Sequence, residues 1–257
     1  MEVRSSCDIW EIALDVGDEA VANCLDILSE AEAVRADRLA RHADRRTFVL
    51  CRAALRWLLA DTLGCAPQAV AIATGTGGKP RITGSPISFS VSHDADTALV
   101  AMTNGIRIGI DLERIDRFED VDIADLVLCA DERARYDAMP SADRAAILCR
   151  AWVMKEAFLK ALGVGLSASM AKLRPAPNGF IAEKSFEVPL PRVQSVIPWS
   201  GAGRICALAA LDGSCAVEPQ GALVARSGPG PLFARAPMAA LDGLFSAPQQ
   251  PGFGSPG

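Results

Sequence analysis

Four short stretches of this 257-residue chain carry side chains able to handle phosphate and a hard cation. In RIGIDLE, residues 107–113, the alternation of a strand puts Ile108, Ile110 and Leu112 on one face and Gly109, Asp111 and Glu113 on the other. Carboxylates two residues apart on a strand lie about 7 Å from each other. They repel unless a cation sits between them, and oxygen ligands of this kind suit Mg²⁺. The same spacing also describes a solvated strand face. In AWVMKEAFLKALGVGL, residues 151–166, Glu156 and Lys160 are four apart and share a helix face. An i,i+4 surface ion pair is the simplest account of them. Trp152, Val153, Phe158, Leu159 and Leu162 surround them, which predicts a mostly buried helix. Lys155 belongs to the same run but points away from Glu156. Ser92 and His93 close a predicted strand just before a polar turn, where a hydroxyl and an imidazole can reach a phosphate. Lys79 lies in GTGGKP, residues 75–80, which lacks the G-x-x-x-x-G-K-[ST] spacing of a phosphate loop but can supply a point charge.

These residues need elements to hold them. A first strand is predicted over residues 8–14. Ser29 and Glu32 form a capping-box pattern opening a helix that runs to about His42. A second helix spans Asp44 to Leu63 and ends at Gly64, with Arg45, Arg52 and Arg56 sharing one face next to its core-facing side. Strands follow at about 86–92, 97–103 and 106–113, and Asn104-Gly105 predicts a hairpin between the last two. Helical pattern returns over about 121–162, interrupted near Pro140 and stopped by Gly163. Shorter strands are expected at about 180–187, 193–198 and 204–211. From about Glu218 the chain is rich in Pro, Gly, Ala and Ser and reads as a disordered tail with one short helix near Met238–Phe245. This order of elements predicts an α+β protein with antiparallel pairing.

Half of the residues are hydrophobic and the net charge is −5, which argues against a nucleic-acid binder. The charge is uneven: between Arg35 and Arg56 seven arginines face two aspartates, a local net charge of +5. The eight cysteines form no C-x-x-C pair, which excludes the common zinc and redox motifs and fits a reducing compartment. The first fifteen residues carry charges where a signal peptide would be apolar, and no run is long enough to span a bilayer. A cytoplasmic protein without a membrane partner is expected.

Taken in order, GKP, a strand ending in SH, GID-x-E, and W-x-x-KEA-x-x-K followed by G-x-GL resemble the surfactin-type 4′-phosphopantetheinyl transferases from about Ile9 to Leu211. The resemblance implies two similar α/β halves in a pseudo-dimer, residues 1–103 and 104–217, with the tail at 218–257. It implies coenzyme A as co-substrate in the cleft between them and an apo acyl or peptidyl carrier protein as acceptor. It also implies Mg²⁺ as cofactor and a monomer. By the same resemblance Asp111, Glu113 and Glu156 hold the metal, and Lys160 meets the pyrophosphate. Lys79, Ser92, His93, Arg46 and Arg35 bind coenzyme A. Glu156, Lys160 and Asp111 carry catalysis, with Glu156 the candidate base. A coenzyme A-binding protein without catalysis, or an Mg²⁺-dependent pyrophosphate hydrolase, would use the same residues.

Overall fold

The computed structural model describes residues 4–75, 78–165, 168–191, 194–225 and 233–236. The first half contains β1 (Arg4–Ala13), α1 (Asp18–Leu25), α2 (Glu30–Asp37), α3 (His42–Leu63), β2 (Ile72–Thr74), β3 (Pro80–Ile82), β4 (Ile87–His93) and β5 (Thr97–Asn104). The second contains β6 (Arg107–Arg114), α4 (Ala124–Val127), α5 (Ala130–Ala138), α6 (Ser141–Leu162), β7 (Leu173–Ala176), β8 (Gly179–Ala182), β9 (Gln194–Gly201) and β10 (Arg204–Leu211). It is followed by β11 (Ser214–Ala225) and β12 (Phe233–Ala236). The fold is mixed α+β, as the order of elements predicts.

One sheet runs β12-β11-β1-β5-β4 and another runs β6-β10-β9. Apolar alternation decides how they stack. Ile9, Leu99 and Ala101 of the first sheet meet Ile108, Ile110, Leu112 and Leu208 of the second in one buried cluster. The other face of the first sheet packs on α3 through Trp10, Ile12 and Val100. The other face of the second packs on α6 through Ala207, Ala209 and Leu211. Each half therefore lays one 22-residue helix over its sheet. Both helices stop at a glycine in the left-handed region, Gly64 and Gly163. The capping box of Ser29 and Glu32 opens α2 as expected.

Asn104-Gly105 closes no hairpin. Both edges of β5 are taken, by β1 and β4, and β6 pairs with β10 instead. Gly105, at φ +85°, donates its N–H to the Pro86 carbonyl and lets the chain step from one sheet to the other. The chain also stays in the fold beyond Glu218. β11 pairs in parallel with β1, with Pro219 at the register shift where its missing N–H does least harm. Leu223, Ala225 and Phe233 are buried against the first core. The apolar run at 222–225 outweighs the composition around it, because the outer edge of β1 needs a partner. The expected helix at 238–245 and the rest of the expected tail lie outside the described residues. Among the described residues no helix is long and apolar enough to cross a membrane.

Two close contacts position α6. Lys155 is fully buried, and its ammonium donates to Glu132 Oε2 at 2.5 Å and to the Val127 carbonyl at 2.7 Å, tying α4 and α5 to α6. Gly109 lets β6 touch the helix: a Cβ there would stand 2.1 Å from the Ala157 carbonyl oxygen and 2.5 Å from the Ala161 nitrogen. Lys155→Met should cost about 3–5 kcal/mol in denaturant unfolding, because the Glu132 carboxylate is left buried without a cation, holding only the Cys129 N–H. Adding Glu132→Leu should recover most of that loss, and a single variant as stable as the parent would remove this role. Gly109→Ala should push α6 off β6, lowering the melting temperature and the activity together, since the obstacles are backbone atoms.

Candidate active site

The two sheets meet at their edge strands, β4 and β6, without a backbone ladder. Side chains replace it. Alternate serines of β4 accept N–H groups of alternate β6 residues: Ser88 from Ile108 at 3.3 Å, Ser90 from Ile110 at 3.0 Å, and Ser92 from Leu112 at 3.2 Å. The carbonyls on that edge accept from lysines. Lys79 donates to Ile108 at 2.5 Å and Lys160 to Ile110 at 3.1 Å. Lys79 and Lys160 line one small cavity of about 250 Å³ along this seam, with Phe89 and Ser90.

Asp111 is the hub. Its Oδ1 accepts from Lys160 at 2.7 Å and from the Ser92 hydroxyl at 2.8 Å. Lys160 thus pairs across to β6 and not along its own helix to Glu156. The face holding Asp111 and Glu113 is covered by α6 instead of solvated, and both side chains are buried. Asp111 Oδ2 and Glu156 Oε2 are buried without a hydrogen-bond partner. Burial and the Asp111 charge push the Glu156 carboxyl up, opposed by Lys160. The same two causes raise Glu113 to about 7, against the pull of Arg117, which hydrogen-bonds it. Burial and the charges of Arg107 and Lys160 lower Lys79 to about 8.

Two free oxygens of the hard type are what a divalent cation needs. Among the described residues no three His, Cys, Asp or Glu side chains are gathered as a metal cage. The expected set of Asp111, Glu113 and Glu156 is thus not gathered as three ligands. Glu113, expected beside them as a third ligand, has its carboxylate engaged by Arg117.

A cavity of about 540 Å³ opens on the other side of Pro80 and Val91, lined by Arg35, Phe48, Arg52, His93 and Asp94. The guanidinium carbons of Arg35 and Arg52 stand 5.1 and 5.6 Å from the Phe48 ring centre. Glu32 holds Arg52 at 3.5 Å. Burial and Lys160 lower the His93 imidazole from its ordinary value. Arg204 reaches from β10 to the turn after His93, with 2.6 Å contacts to both Asp94 and Asp96.

The structure thus brings Asp111, Glu156, Lys160, Ser92 and Lys79 to one seam, and Arg35 and His93 to the cavity beside it. Arg46 is not among the residues lining that cavity. It lies two residues before Phe48 on α3, so it leaves the helix on nearly the opposite side, and it pairs with Asp18 at 2.7 Å. The arginine-rich segment is not one basic surface either. Arg56 is buried, bound to Glu32 and to the Pro67 and Val70 carbonyls. Arg52, read only as part of the patch, is the second cation of the cavity. The alternating serines of SFSVSH carried a signal of period two that was open to reading as a hydroxyl edge.

Residues 107–194 match the family model of the 4′-phosphopantetheinyl transferase superfamily. The chain is 32% identical over 191 residues to the 4′-phosphopantetheinyl transferase HetI of Nostoc sp., a match covering 68% of this chain and 81% of HetI. It is 31% identical over 157 residues to slr0495 of Synechocystis sp., a provisionally named enzyme of the same kind, covering 59% of this chain and 63% of that one. A holo-(acyl-carrier-protein) synthase of Bacillus anthracis, solved with coenzyme A (3′,5′-ADP), aligns with 42% of this chain and 98% of its own at 22% identity and a TM-score of 0.35. The matched segment of the family model contains Asp111, Glu113, Glu156 and Lys160, and the likeness to HetI extends over four fifths of that protein. On that extent of likeness, the chain belongs to the 4′-phosphopantetheinyl transferase superfamily.

Proposed function

We propose that this protein transfers the 4′-phosphopantetheine group of coenzyme A to a serine of an apo acyl or peptidyl carrier protein, releasing adenosine 3′,5′-bisphosphate. The observation that carries the reading is the pair of buried, unpartnered carboxylate oxygens, Asp111 Oδ2 and Glu156 Oε2, next to the Lys160 ammonium. Asp111 and Glu156 would hold Mg²⁺, and Glu113 stays with Arg117. A bound Mg²⁺ supplies charge neutralisation on the pyrophosphate and on the leaving phosphate.

The chain's own groups account for the rest. Lys160 and Lys79 offer cations along the seam for the pyrophosphate. His93, Arg35 and Arg52 form a rim suited to the 3′-phosphate, with both guanidiniums over the Phe48 ring. The acceptor serine oxygen forms a bond to the pantetheine-side phosphorus as the bridging P–O bond breaks. Its proton passes to the Glu156 carboxylate, which α6 holds beside Asp111. The N-terminal half with α1–α3 supports the surfactin-type branch over a short single-unit synthase.

Incubation with coenzyme A, Mg²⁺ and a panel of apo carrier proteins should add one phosphopantetheine mass to the acceptor serine. No mass gain on any carrier would reject the reading. Release of adenosine bisphosphate without a carrier would favour a hydrolase instead. Glu156→Gln should lower turnover at least about 100-fold while coenzyme A binding survives. Unchanged turnover would remove Glu156 from proton transfer. His93→Ala should weaken binding of coenzyme A but not of dephospho-coenzyme A, as calorimetry would read. Equal losses for both ligands would move the 3′-phosphate away from His93.

A further inference from the structure

Ser92 stands beside His93, in the position where a hydroxyl is expected to bind coenzyme A. Its contacts in the fold are of another kind. A serine hydroxyl has one proton and two lone pairs. The proton is given to Asp111 Oδ1 at 2.8 Å. The Leu112 N–H at 3.2 Å and the Lys160 ammonium at 3.1 Å take the lone pairs. The side chain is buried, so no valence is left for a phosphate oxygen. Ser88 and Ser90 differ, since each accepts a β6 N–H without touching Asp111 or Lys160.

The consequence falls on Asp111. Ser92 and Lys160 both occupy Oδ1, and that leaves Oδ2 as the buried oxygen with no partner. We infer that Ser92 is a positioning residue for Asp111, turning one carboxylate oxygen out toward a divalent cation, and is not a ligand of coenzyme A. Without its hydroxyl the Asp111 carboxylate is held by Lys160 alone and is free to rotate both oxygens toward the ammonium. Groups that orient a metal-binding carboxylate typically change metal affinity 10- to 100-fold. The inference rests on the proposed function for the identity of the cation and the ligand.

The test separates the two roles by measuring each affinity alone. Coenzyme A binding is followed by calorimetry in EDTA. Divalent-cation binding is followed with Mn²⁺ by paramagnetic resonance at saturating coenzyme A, and the Mg²⁺ midpoint of transfer is recorded beside it. Ser92→Ala should weaken Mn²⁺ binding and raise the Mg²⁺ midpoint about 10-fold or more, with coenzyme A affinity unchanged. Ser92→Thr, which keeps the hydroxyl, should restore both. Ser88→Ala removes a matched rung, the one to Ile108, and should lower thermal stability to a similar degree without moving the metal midpoint. Weaker coenzyme A binding with unchanged metal affinity in Ser92→Ala would overturn the inference. So would a metal loss of equal size in Ser88→Ala, which would make the effect one of stability. If the parent chain binds no coenzyme A, the proposed function fails and carries this inference down with it. If the parent binds both ligands and Ser92→Ala binds both equally well, only the role of Ser92 fails.

Discussion

The open edge of β6 is the constraint on which the rest of the site depends. Its N–H and C=O groups at residues 108 and 110, and the N–H at 112, face the first half of the molecule, where no strand pairs with them. Leaving such groups buried and unpaired costs about 1–3 kcal/mol each. Three serines and two lysines satisfy them. Hydroxyls are longer than a backbone ladder contact, so the sheets stay apart at this edge and a cleft remains between them. The carbonyls of Ile108 and Ile110 lie two residues apart, which spaces Lys79 and Lys160 about 7 Å apart along the strand. The Lys160 charge is one cause, after burial and Arg107, of the depressed Lys79 ammonium. Lys79 and Lys160, the latter also paired with Asp111, both line the cavity at this edge.

The same seam is locked at its far end. His93 ends β4, and the turn after it is gripped by Arg204 of the second half through Asp94 and Asp96. Asp94 also accepts the Thr97 N–H, so the carboxylate shapes the turn and anchors it at once. His93 therefore belongs to the first half by sequence while its position is set by the second. Along this seam the two halves are coupled through side chains.

Much of this was legible in the sequence where the cause is local. The capping box at Ser29, the stops at Gly64 and Gly163, and the core face of Ile108, Ile110 and Leu112 depend on neighbours within a turn or a strand. The convergence of Asp111, Glu156 and Lys160 was legible as well, through the order of motifs. The failures share one physical reason, which is competition from distant partners. Asn104-Gly105 has the local chemistry of a hairpin, but β1 and β4 already occupy the strand it would pair. The tail composition gave no sign that β1 lacked a neighbour, and β11 fills that edge. Arg46 and Arg52 are equally basic on paper. Only the phase of α3 about Phe48 decides that Arg52 enters the cavity and Arg46 turns to Asp18.

The motif KEAFLK shows how one helix turn serves two ends. Lys155 and Glu156 are successive residues, so their side chains leave α6 about a quarter-turn apart. Lys155 enters the core and is neutralised by Glu132, a structural pair. Glu156 and Lys160 face β6. On an isolated helix those two would pair with each other for a few tenths of a kcal/mol. Asp111 offers Lys160 a buried partner on a strand that Gly109 has brought into contact, and in lower dielectric that attraction is stronger. Lys160 takes it, and Glu156 is left with an oxygen that nothing in the described residues satisfies. The chemistry of the site is thus made by the pairing that does not form. It depends on a glycine with no side chain at all, because a Cβ at residue 109 would run into the backbone of α6 at Ala157 and Ala161.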